Sequence, residues 1–293
     1  MILIADSGAT KTDWCLISPL ATLPPQRIKT QGINPFHQSE DQIIDILRNE
    51  LLPQLSALNC EHPMRSIHFY GAGCTAEMKR HVEAALRKVF ATFPTQPSAI
   101  NVESDLLGAA RAVCMHQRGL VGILGTGANS CLYDGKDILE NIPPLGYILG
   151  DEGSGATFGK ILLNQLFKNP NYTRLQEQFL AYEHCTQSDI IERVYRQPLA
   201  NRYLASLVKF AKENVANPLI EQLVVQNFDA FITHNLLHYN TSLRDVYVVG
   251  GMAAAFPEQL EQACRQRGYT LRRILRSPIE GLIEYHKNNA TQR

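Results

Sequence analysis

The chain opens with two short apolar runs that are separated by small and polar residues. Residues 2–5 and 14–17 are apolar enough to form two strands, and residues 6–13 between them read Asp-Ser-Gly-Ala-Thr-Lys-Thr-Asp. A hairpin of this composition can point backbone N–H groups, hydroxyls and a lysine at a bound phosphate. For this segment alone, an ordinary hairpin in which Gly8 relieves a tight turn is an equal alternative.

A second strand, turn and strand occurs near the middle of the chain. Residues 120–124 form an apolar run, residues 125–130 read Gly-Thr-Gly-Ala-Asn-Ser, and strands at about 129–134 and 137–141 follow. Two hairpins of the phosphate type, about half a chain apart, predict two similar domains that face each other across a cleft. A nucleotide can bridge such a cleft.

Strands and helices alternate through the rest of the chain. The first half predicts β-β-β-α-β-α-β-α, with later strands at 26–31, 67–70 and 100–103 and helices over 39–58, from 75 to about 90, and after Ser104. Beyond residue 153 the pattern is mainly helical as far as about residue 240. A strand at 245–249, a helix at 253–267, a strand at 269–275 and a helix at 278–288 complete it. The pattern therefore predicts domains of residues 1–118 and 119–293, with a helical insertion at about 153–240 in the second.

Composition and charge exclude several classes of protein. The chain has 293 residues, of which 45% are hydrophobic, and this is enough for two cores. The 28 lysines and arginines balance 28 acidic residues, which argues against a nucleic-acid partner. No charged leader or apolar run of membrane-spanning length is found, so we expect a cytoplasmic protein without a membrane partner. The seven cysteines are odd in number and contain no C-x-x-C pair, which indicates neither a disulfide framework nor a zinc site.

Four motifs resemble, in this order, those of the sugar kinase, hsp70 and actin superfamily. They are residues 6–13, Ser-Asp-Leu-Leu-Gly-Ala at 104–109, residues 125–130, and Gly-Asp-Glu-Gly-Ser-Gly at 150–155. Together they are similar to the motifs of the N-acetylglucosamine kinase and BadF/BadG/BcrA/BcrD ATPase family. The resemblance implies an α/β fold of two ribonuclease-H-like, actin-like ATPase domains around an interdomain nucleotide cleft. It also implies ATP and Mg²⁺ as cofactors.

Asp105 is the candidate catalytic residue. It follows the carboxyl end of a strand, and the resemblance implies that it contacts the substrate and accepts the proton of the attacking sugar hydroxyl. Helix N-capping is the alternative role, and Ser104 suits that role equally well.

The resemblance implies that ATP is bound by both hairpins and by a later glycine pair, which would let adenosine lie against bare backbone. These residues are Ser7, Gly8, Ala9, Thr10, Lys11, Gly125, Thr126, Gly127, Gly250 and Gly251. Asp6 is the expected Mg²⁺ ligand, through water, and a buried turn cap is its alternative role. Many relatives have glycine where this chain has Ser7 and Ala9.

Three further polar residues match the sugar-binding positions of the family. Asn129 and Asp151 suit sugar hydroxyls, and Asn34 lies in a loop that the family uses for sugar contact, although an ordinary loop role is equally open. Glu152 would orient its own loop at residues 150–155 or assist the metal. Relatives often have Gly-Trp before Gly146, which implies a flat surface against the sugar. This chain has Pro-Leu at 144–145, so the resemblance does not predict that surface or the exact sugar here.

The expected function is ATP-dependent phosphorylation of an amino sugar, with N-acetylglucosamine and its 6-hydroxyl as the leading candidates. One alternative is an ATPase that activates a dehydratase through an iron–sulfur cluster shared by two subunits. The other is a sugar-sensing regulator without catalysis, against which Asp105 argues. The expected partners are the sugar and ATP, and a homodimer stays open.

Overall fold

The structure is a computed structural model that describes residues 1–8, 10–18, 23–58, 63–94 and 96–291. The chain divides into two compact units. Unit 1 comprises Met1–Met115 and Pro278–Arg293, and unit 2 comprises His116–Ser277. No helix in these described ranges has the length and apolar character needed to cross a membrane.

The strands and helices are numbered here in chain order. The strands are β1 (Ile2–Ser7), β2 (Lys11–Ile17), β3 (Gln26–Gln31), β4 (Ser66–Gly71), β5 (Ala99–Ser104), β6 (Gly119–Leu124), β7 (Ala128–Tyr133), β8 (Ile138–Glu140), β9 (Asp245–Val249) and β10 (Thr270–Leu275). The helices are α1 (Glu40–Ile46), α2 (Leu52–Ala57), α3 (Met78–Phe90), α4 (Asp105–Cys114), α5 (Gly146–Leu149), α6 (Gly155–Lys168), α7 (Thr173–Glu183), α8 (Gln187–Tyr195), α9 (Ala200–Ser206), α10 (Val208–Glu213), α11 (Pro218–His234), α12 (Gly251–Ala255), α13 (Pro257–Gln266) and α14 (Ile279–Thr291). A π-helical turn (Leu47–Leu51) joins α1 to α2, and short 3₁₀ turns lie at Pro170–Tyr172 and Leu236–His238.

The sheets of the two units have the same topology. Their strand orders are β3-β2-β1-β4-β5 and β8-β7-β6-β9-β10. In each sheet the first three strands along the chain pair as antiparallel neighbours. The two later strands run parallel to the first strand of their unit, which is β1 in unit 1 and β6 in unit 2. A three-stranded meander that continues into two parallel strands is the ribonuclease-H-like arrangement. The predicted fold class, two such domains in one chain, is confirmed.

Alternation along the strands decides which side chains enter the cores. In unit 1, Leu3 and Ala5 of β1 share a buried cluster with Ile43 of α1 and Val82 of α3. The intervening residues of β1 face the other side of the sheet, because successive strand residues point to opposite faces. In unit 2 the core extends from the sheet into the helices between β8 and β9, which lie where the sequence pattern predicts a helical insertion.

The last helix belongs to unit 1, whereas the sequence pattern assigned it to the second domain. α14 packs on α4 and on strands β1 and β2. The approach to α4 is close, because a Cβ at Gly281 would lie 2.2 Å from the carbonyl oxygen of Ala112. The division between the units falls after Met115 and therefore slightly before the predicted boundary at residue 118. The sequence shows that α14 follows β10, but it does not show on which sheet the helix packs.

His286 of α14 joins a polar cluster beneath the sheet of unit 1. Its Nε2 lies 3.0 Å from Tyr70 Oη, and its ring lies against that of His68 with centroids 4.0 Å apart. Arg111 Nη1 donates to the same Tyr70 oxygen at 3.2 Å. Burial, together with the charges of His68 and Arg111, lowers the pKa of His286 to about 2. His286 is therefore neutral in the folded protein.

We expect the buried His286 to make the protein less stable in mild acid. Its folded-state pKa of about 2 lies below the ordinary value of 6.5, so below pH 6.5 the unfolded chain binds a proton that the folded chain does not. Stability is then retained above pH 6.5 and lost as the pH falls. Between pH 7 and pH 5.5 this one proton lowers the free energy of unfolding by about 1.3 kcal/mol.

Urea denaturation of the wild type and of His286→Gln at both pH values measures this effect. The variant should lose about 1.3 kcal/mol less than the wild type between the two pH values. An equal pH dependence in both proteins would show that His286 titrates normally in the fold.

Candidate active site

Ser7 and Thr12 form a hydrogen bond across the β1–β2 hairpin, next to its turn. Their hydroxyl oxygens are buried and lie 2.7 Å apart. Ser7 Oγ also accepts the N–H of Ile33 at 3.0 Å. The Ser7 hydroxyl is therefore engaged inside the protein and fixes the shape of the turn, and the backbone of Ser7 stays a predicted phosphate contact.

The tip of this hairpin is open. The N–H of Gly8 donates to the carbonyl of Lys11 at 3.0 Å, while Thr10 and Lys11 are exposed. A Cβ at Gly8 would meet only the Lys11 carbonyl at 3.8 Å, so the fold itself does not require glycine there. Lys11 Nζ binds Asp13 Oδ2 at 2.6 Å, and since an exposed ion pair is worth about 1 kcal/mol or less, a phosphate can compete for the lysine. Ala9 lies outside the described residues.

Asp6 is the predicted magnesium ligand. It is half-buried near the end of β1 and stands opposite Asp13 in the β1–β2 register. No cluster of three or more His, Cys, Asp or Glu residues forms a metal cage in the part of the chain that the structure describes. Mg²⁺ is usually bound through one or two carboxylates together with water and substrate phosphates. The residues present thus fit an ion that is shared with a nucleotide.

Asp105 is the first residue of α4 and follows β5 directly. Ser104 caps this helix, because its Oγ accepts the N–H of Leu107 at 3.2 Å. Asp105 Oδ1 accepts the N–H of Leu106 at 2.8 Å. Burial raises the pKa of the Asp105 carboxyl, and the Leu106 N–H opposes this shift only in part. Since Ser104 does the capping, the carboxyl of Asp105 is left for another role.

Asn34 organises the loop after β3. Its Oδ1 accepts the N–H of Phe36 at 3.0 Å, which forms a local turn. A Cβ at Gly73 would lie 2.1 Å from this oxygen, so the Asn34 loop packs against the loop that follows β4. Phe36 is 72% exposed beside Asn34, and the family motifs do not include it. The signal available in the sequence is an aromatic residue directly after Asn-Pro.

The turn between β6 and β7 is bonded to the start of α6. The carbonyl oxygens of Gly125 and Thr126 accept the N–H groups of Gly155 and Ala156 at 2.8 and 3.1 Å. Thr126 is exposed, and within the described ranges the N–H groups of Thr126 and Gly127 have no acceptor. Unpaired N–H groups in a glycine-rich turn are suited to an anion. This turn can therefore bind phosphate through its backbone.

Asp151 is buried against the same turn. Its carboxyl accepts the N–H groups of Ala128 and Gly146, and a Cβ at Gly127 would lie 2.9 Å from its Oδ2. Its backbone is left-handed, with φ of 55°, and its N–H donates to the carbonyl of Pro144 at 2.9 Å. Burial raises the pKa of Asp151, while the two N–H groups act in the opposite direction. The carboxyl is thus fixed next to the turn between β6 and β7.

Asn129 lies on β7, directly after the turn between β6 and β7. Its Oδ1 accepts the N–H of Ser130 and the Nδ2 group of Asn141, both at 2.9 Å. Its own amide NH₂ has no acceptor among the residues that the structure describes, and it can donate to a sugar hydroxyl. Glu152 is half-buried, and its charge contributes to the raised pKa of Asp151.

Gly250 and Gly251 lie where β9 passes into α12, and they differ in what the fold demands. Gly250 has φ of 136°, and a Cβ there would lie 2.2 Å from the carbonyl oxygen of Leu124 and 2.8 Å from the nitrogen of Gly125. The fold therefore requires glycine at 250, and this contact brings the start of α12 beside the turn between β6 and β7. At Gly251 a Cβ would meet no atom within 4 Å, and the residue is exposed.

Each unit gathers its predicted residues at one edge of its sheet. In unit 1 the register aligns Ser7, Gly71 and Ser104 at the carboxyl ends of three parallel strands. The hairpin tip and Asp105 continue from two of these ends. In unit 2 the glycine turns follow β6 and β9, which are also parallel neighbours. Ligands of α/β sheets bind at this edge.

Comparisons with known proteins place the chain in a family. No family model and no curated protein matches it. Among solved structures, the "putative N-acetylglucosamine kinase" of Porphyromonas gingivalis is 42% identical to this chain, covers 99% of each chain and has a TM-score of 0.88. The protein of the same description from Chromobacterium violaceum is 20% identical over 97% of this chain and 98% of that chain, with a TM-score of 0.64. The ROK hexokinase of Thermus thermophilus is 14% identical over 100% of this chain and 99% of that chain, with a TM-score of 0.54.

The first of these similarities shows the family, and the other two show the fold. The chain belongs to the sugar kinase, hsp70 and actin superfamily. Within that superfamily it is a member of the family that contains the Porphyromonas gingivalis protein.

Proposed function

We propose that this protein transfers the γ-phosphoryl group of ATP to the 6-hydroxyl of N-acetylglucosamine. The observation that carries the reaction is the Asp105 carboxyl, which follows β5, has a raised pKa and is relieved of helix capping by Ser104. The sugar is proposed from the Porphyromonas gingivalis relative, which is 42% identical to this chain.

Asp105 would act as the general base. As the sugar oxygen attacks the γ-phosphorus, its proton passes to the Asp105 carboxylate, a new O–P bond forms, and the bond from the γ-phosphorus to the bridging oxygen of ADP breaks. A carboxylate with a raised pKa accepts a proton more readily. Burial of Asp105 therefore favours this role.

The phosphate charges would be stabilised by backbone N–H groups and by Lys11. The N–H groups of Thr126 and Gly127 and the tip of the β1–β2 hairpin supply fixed donors, which phosphoryl transfer needs more than covalent chemistry. Mg²⁺, held in part by Asp6, would supply neutralising charge on the phosphates when bound.

The sugar would be bound by both hydrogen-bond acceptors and hydrogen-bond donors. The Asp151 carboxylate accepts from hydroxyls, and the Asn129 amide donates to them. Asn34 adds a second amide, whose carbonyl already accepts the Phe36 N–H. Asp151 is the strongest of these contacts because hydrogen bonds to a charged group are stronger than neutral ones.

We expect Gly251→Ala to weaken ATP binding without harming the fold. The fold has room for the methyl group, and alanine favours the start of α12 by up to about 1 kcal/mol. If adenosine lies against this backbone, overpacking by the methyl costs about 1–3 kcal/mol, which lowers ATP affinity roughly 5- to 150-fold. Calorimetry with a non-hydrolysable ATP analogue measures this affinity, and the melting temperature and the sugar affinity are the controls. Unchanged ATP affinity in a folded variant would remove Gly251 from the adenosine site.

The cysteines argue against the iron–sulfur alternative. Of those in the described ranges, Cys15, Cys74, Cys114, Cys131 and Cys264 are buried, and only Cys185 is partly exposed. An iron–sulfur cluster that two subunits share needs cysteine thiolates at the surface of each subunit. A cluster would also colour the purified protein.

An ADP-release assay over a panel of sugars tests the proposed function. We expect release with Mg²⁺ and N-acetylglucosamine that exceeds release with N-acetylmannosamine, glucosamine, glucose or no sugar. ADP release that is independent of any sugar would favour an ATPase instead. Sugar binding without ADP release would favour a regulator.

A further inference from the structure

Tyr70 packs directly against the first turn of α4, the helix that begins with Asp105. A Cβ at Gly108 would lie 2.8 Å from both the Cβ and the Cγ of Tyr70. Residues three positions apart share one side of a helix, so Asp105 and Gly108 lie on the same side of α4. Tyr70 is fully buried and is the last residue but one of β4. The start of α4 therefore rests on the Tyr70 side chain.

The Tyr70 hydroxyl is bonded to both α4 and α14. Arg111 Nη1 of α4 donates to Tyr70 Oη at 3.2 Å, and His286 Nε2 of α14 lies 3.0 Å from the same oxygen. Arginine can only donate, so the hydroxyl proton is available for His286. Burial raises the pKa of Tyr70 to about 12, and His286 is neutral, so the hydroxyl keeps its proton and the ring nitrogen can accept the bond. This assigns a hydrogen bond from Tyr70 Oη to His286 Nε2.

Small residues hold α4 against α14. A Cβ at Gly281 of α14 would lie 2.2 Å from the carbonyl oxygen of Ala112, and Ala109 and Ala112 of α4 are fully buried. Glycine and alanine have no side-chain rotamers that could take up a shift, and close-packed interiors transmit such a shift. A change at Tyr70 or His286 is therefore passed to α4 as a whole.

The Asp105 carboxyl moves with this helix. Its hydrogen bonds come from the backbone N–H groups of Asp105 and Leu106, both of which belong to α4. A general base must lie within about 2.6–3.2 Å of the atom whose proton it accepts. A misplacement of about 1 Å can cost about 100-fold in rate. The rate of proton transfer to Asp105 thus depends on where α4 begins.

We infer that the hydrogen bond between Tyr70 and His286 holds α4 in the position that places the Asp105 carboxylate for proton transfer. This inference rests on the proposed function. Tyr70 and His286 are both buried, so they are positioning residues, which act through α4 without touching a substrate.

Variants of the two bonded residues test the inference. Tyr70→Phe removes the hydroxyl and keeps the ring on which Gly108 packs. We expect kcat to fall about 10- to 100-fold, while KM for ATP and for N-acetylglucosamine should change little. His286→Leu should have the same effect, because leucine cannot accept the hydroxyl proton. His286→Gln should keep most of the activity, since its amide oxygen can accept in place of Nε2.

A double substitution separates positioning from a general loss of structure. With Asp105→Asn in place, no carboxylate remains to be positioned. Adding Tyr70→Phe should then lower the single-turnover rate by less than about twofold. A purely structural role of Tyr70 would lower the rate by the same factor in both backgrounds.

Tyr269→Phe is the matched control for Tyr70→Phe. Tyr269 is buried, its Oη donates to the carbonyl of Leu236 at 3.3 Å, and the Arg244 guanidinium lies over its ring, as that of Arg111 lies over the ring of Tyr70. Tyr269 directly precedes β10, so it lies at the amino ends of the parallel strands of unit 2. The control should lower the melting temperature and leave kcat unchanged.

Four results would overturn the inference. Wild-type kcat in folded Tyr70→Phe or His286→Leu would show that α4 does not need this bond. His286→Gln that is as slow as His286→Leu would show that the ring, rather than its acceptor nitrogen, matters. Equal losses with and without Asp105→Asn would mean that Tyr70 supports the fold and not the base. Absence of phosphoryl transfer to every sugar by the wild type would contradict the proposed function and the inference with it, whereas the first three results leave the proposed function standing.

Discussion

Asp105→Asn should lower kcat about 10²- to 10⁴-fold, the usual contribution of a general base. The affinities for ATP and for N-acetylglucosamine should change little, because asparagine keeps the size of the side chain and its carbonyl can still accept the N–H of Leu106. The helix should remain capped, since Ser104 provides the cap. Single-turnover kinetics separate the chemical step from binding and product release.

Ser104→Ala is the matched control for this prediction. It removes the cap of α4 and should lower the free energy of unfolding by about 1 kcal/mol, with a much smaller effect on kcat than Asp105→Asn. Near-normal turnover in Asp105→Asn would exclude Asp105 as the base. A large kcat loss in Ser104→Ala alone would show that the geometry of the helix start, rather than the carboxylate, controls the rate.

Asp151→Asn should weaken sugar binding about 10- to 150-fold, because a lost hydrogen bond to a charged group costs about 1.5–3 kcal/mol. Asparagine tolerates the left-handed backbone of this residue, so the change removes the charge without adding backbone strain. ATP affinity should stay within about a factor of three of the wild type. Calorimetry with each ligand separately measures both effects.

Asp134→Asn is the control for Asp151→Asn. Asp134 Oδ1 also accepts two backbone N–H groups, those of Lys136 and Asp137, at 2.8 and 2.7 Å. These bonds lower the pKa of Asp134, whereas burial raises that of Asp151. The control should leave sugar affinity unchanged. An equal loss of ATP and sugar affinity in Asp151→Asn would contradict the assignment of this carboxylate to the sugar.

Local patterns predicted most of the elements. The strands at 26–31 and 245–249 have the bounds that the sequence predicts, because alternation and flanking turn residues mark both ends. The first turn is shorter than its composition indicates. The polar residues at its two ends belong to the strands β1 and β2. Ser7 and Thr12 pair across these strands, and their buried hydroxyls form a hydrogen bond with each other. The helix expected at 253–267 is instead two helices that meet at Phe256, which is fully buried.

The candidate site was predictable where one motif carries the chemistry and less so where distant segments meet. Ser104-Asp105 could be interpreted from the sequence, because the capping serine and a second polar residue, which the cap does not need, are adjacent. The contact between Asp151 and Gly127 depends on a loop that returns to the turn. The different demands on Gly250 and Gly251 likewise appear only from their surroundings. The exposure of Ile148 could not be predicted, since an apolar residue in a short helix is usually buried.

Identification of the phosphorylated product shows whether the protein transfers phosphate to the 6-hydroxyl of N-acetylglucosamine. The protein would be incubated with ATP, Mg²⁺ and N-acetylglucosamine, and the products would be followed by phosphorus NMR. We expect one phosphomonoester for each ADP formed, with its phosphorus coupled to the two protons on carbon 6 of the sugar. ADP accompanied by inorganic phosphate, or a phosphate on any other sugar carbon, would contradict it.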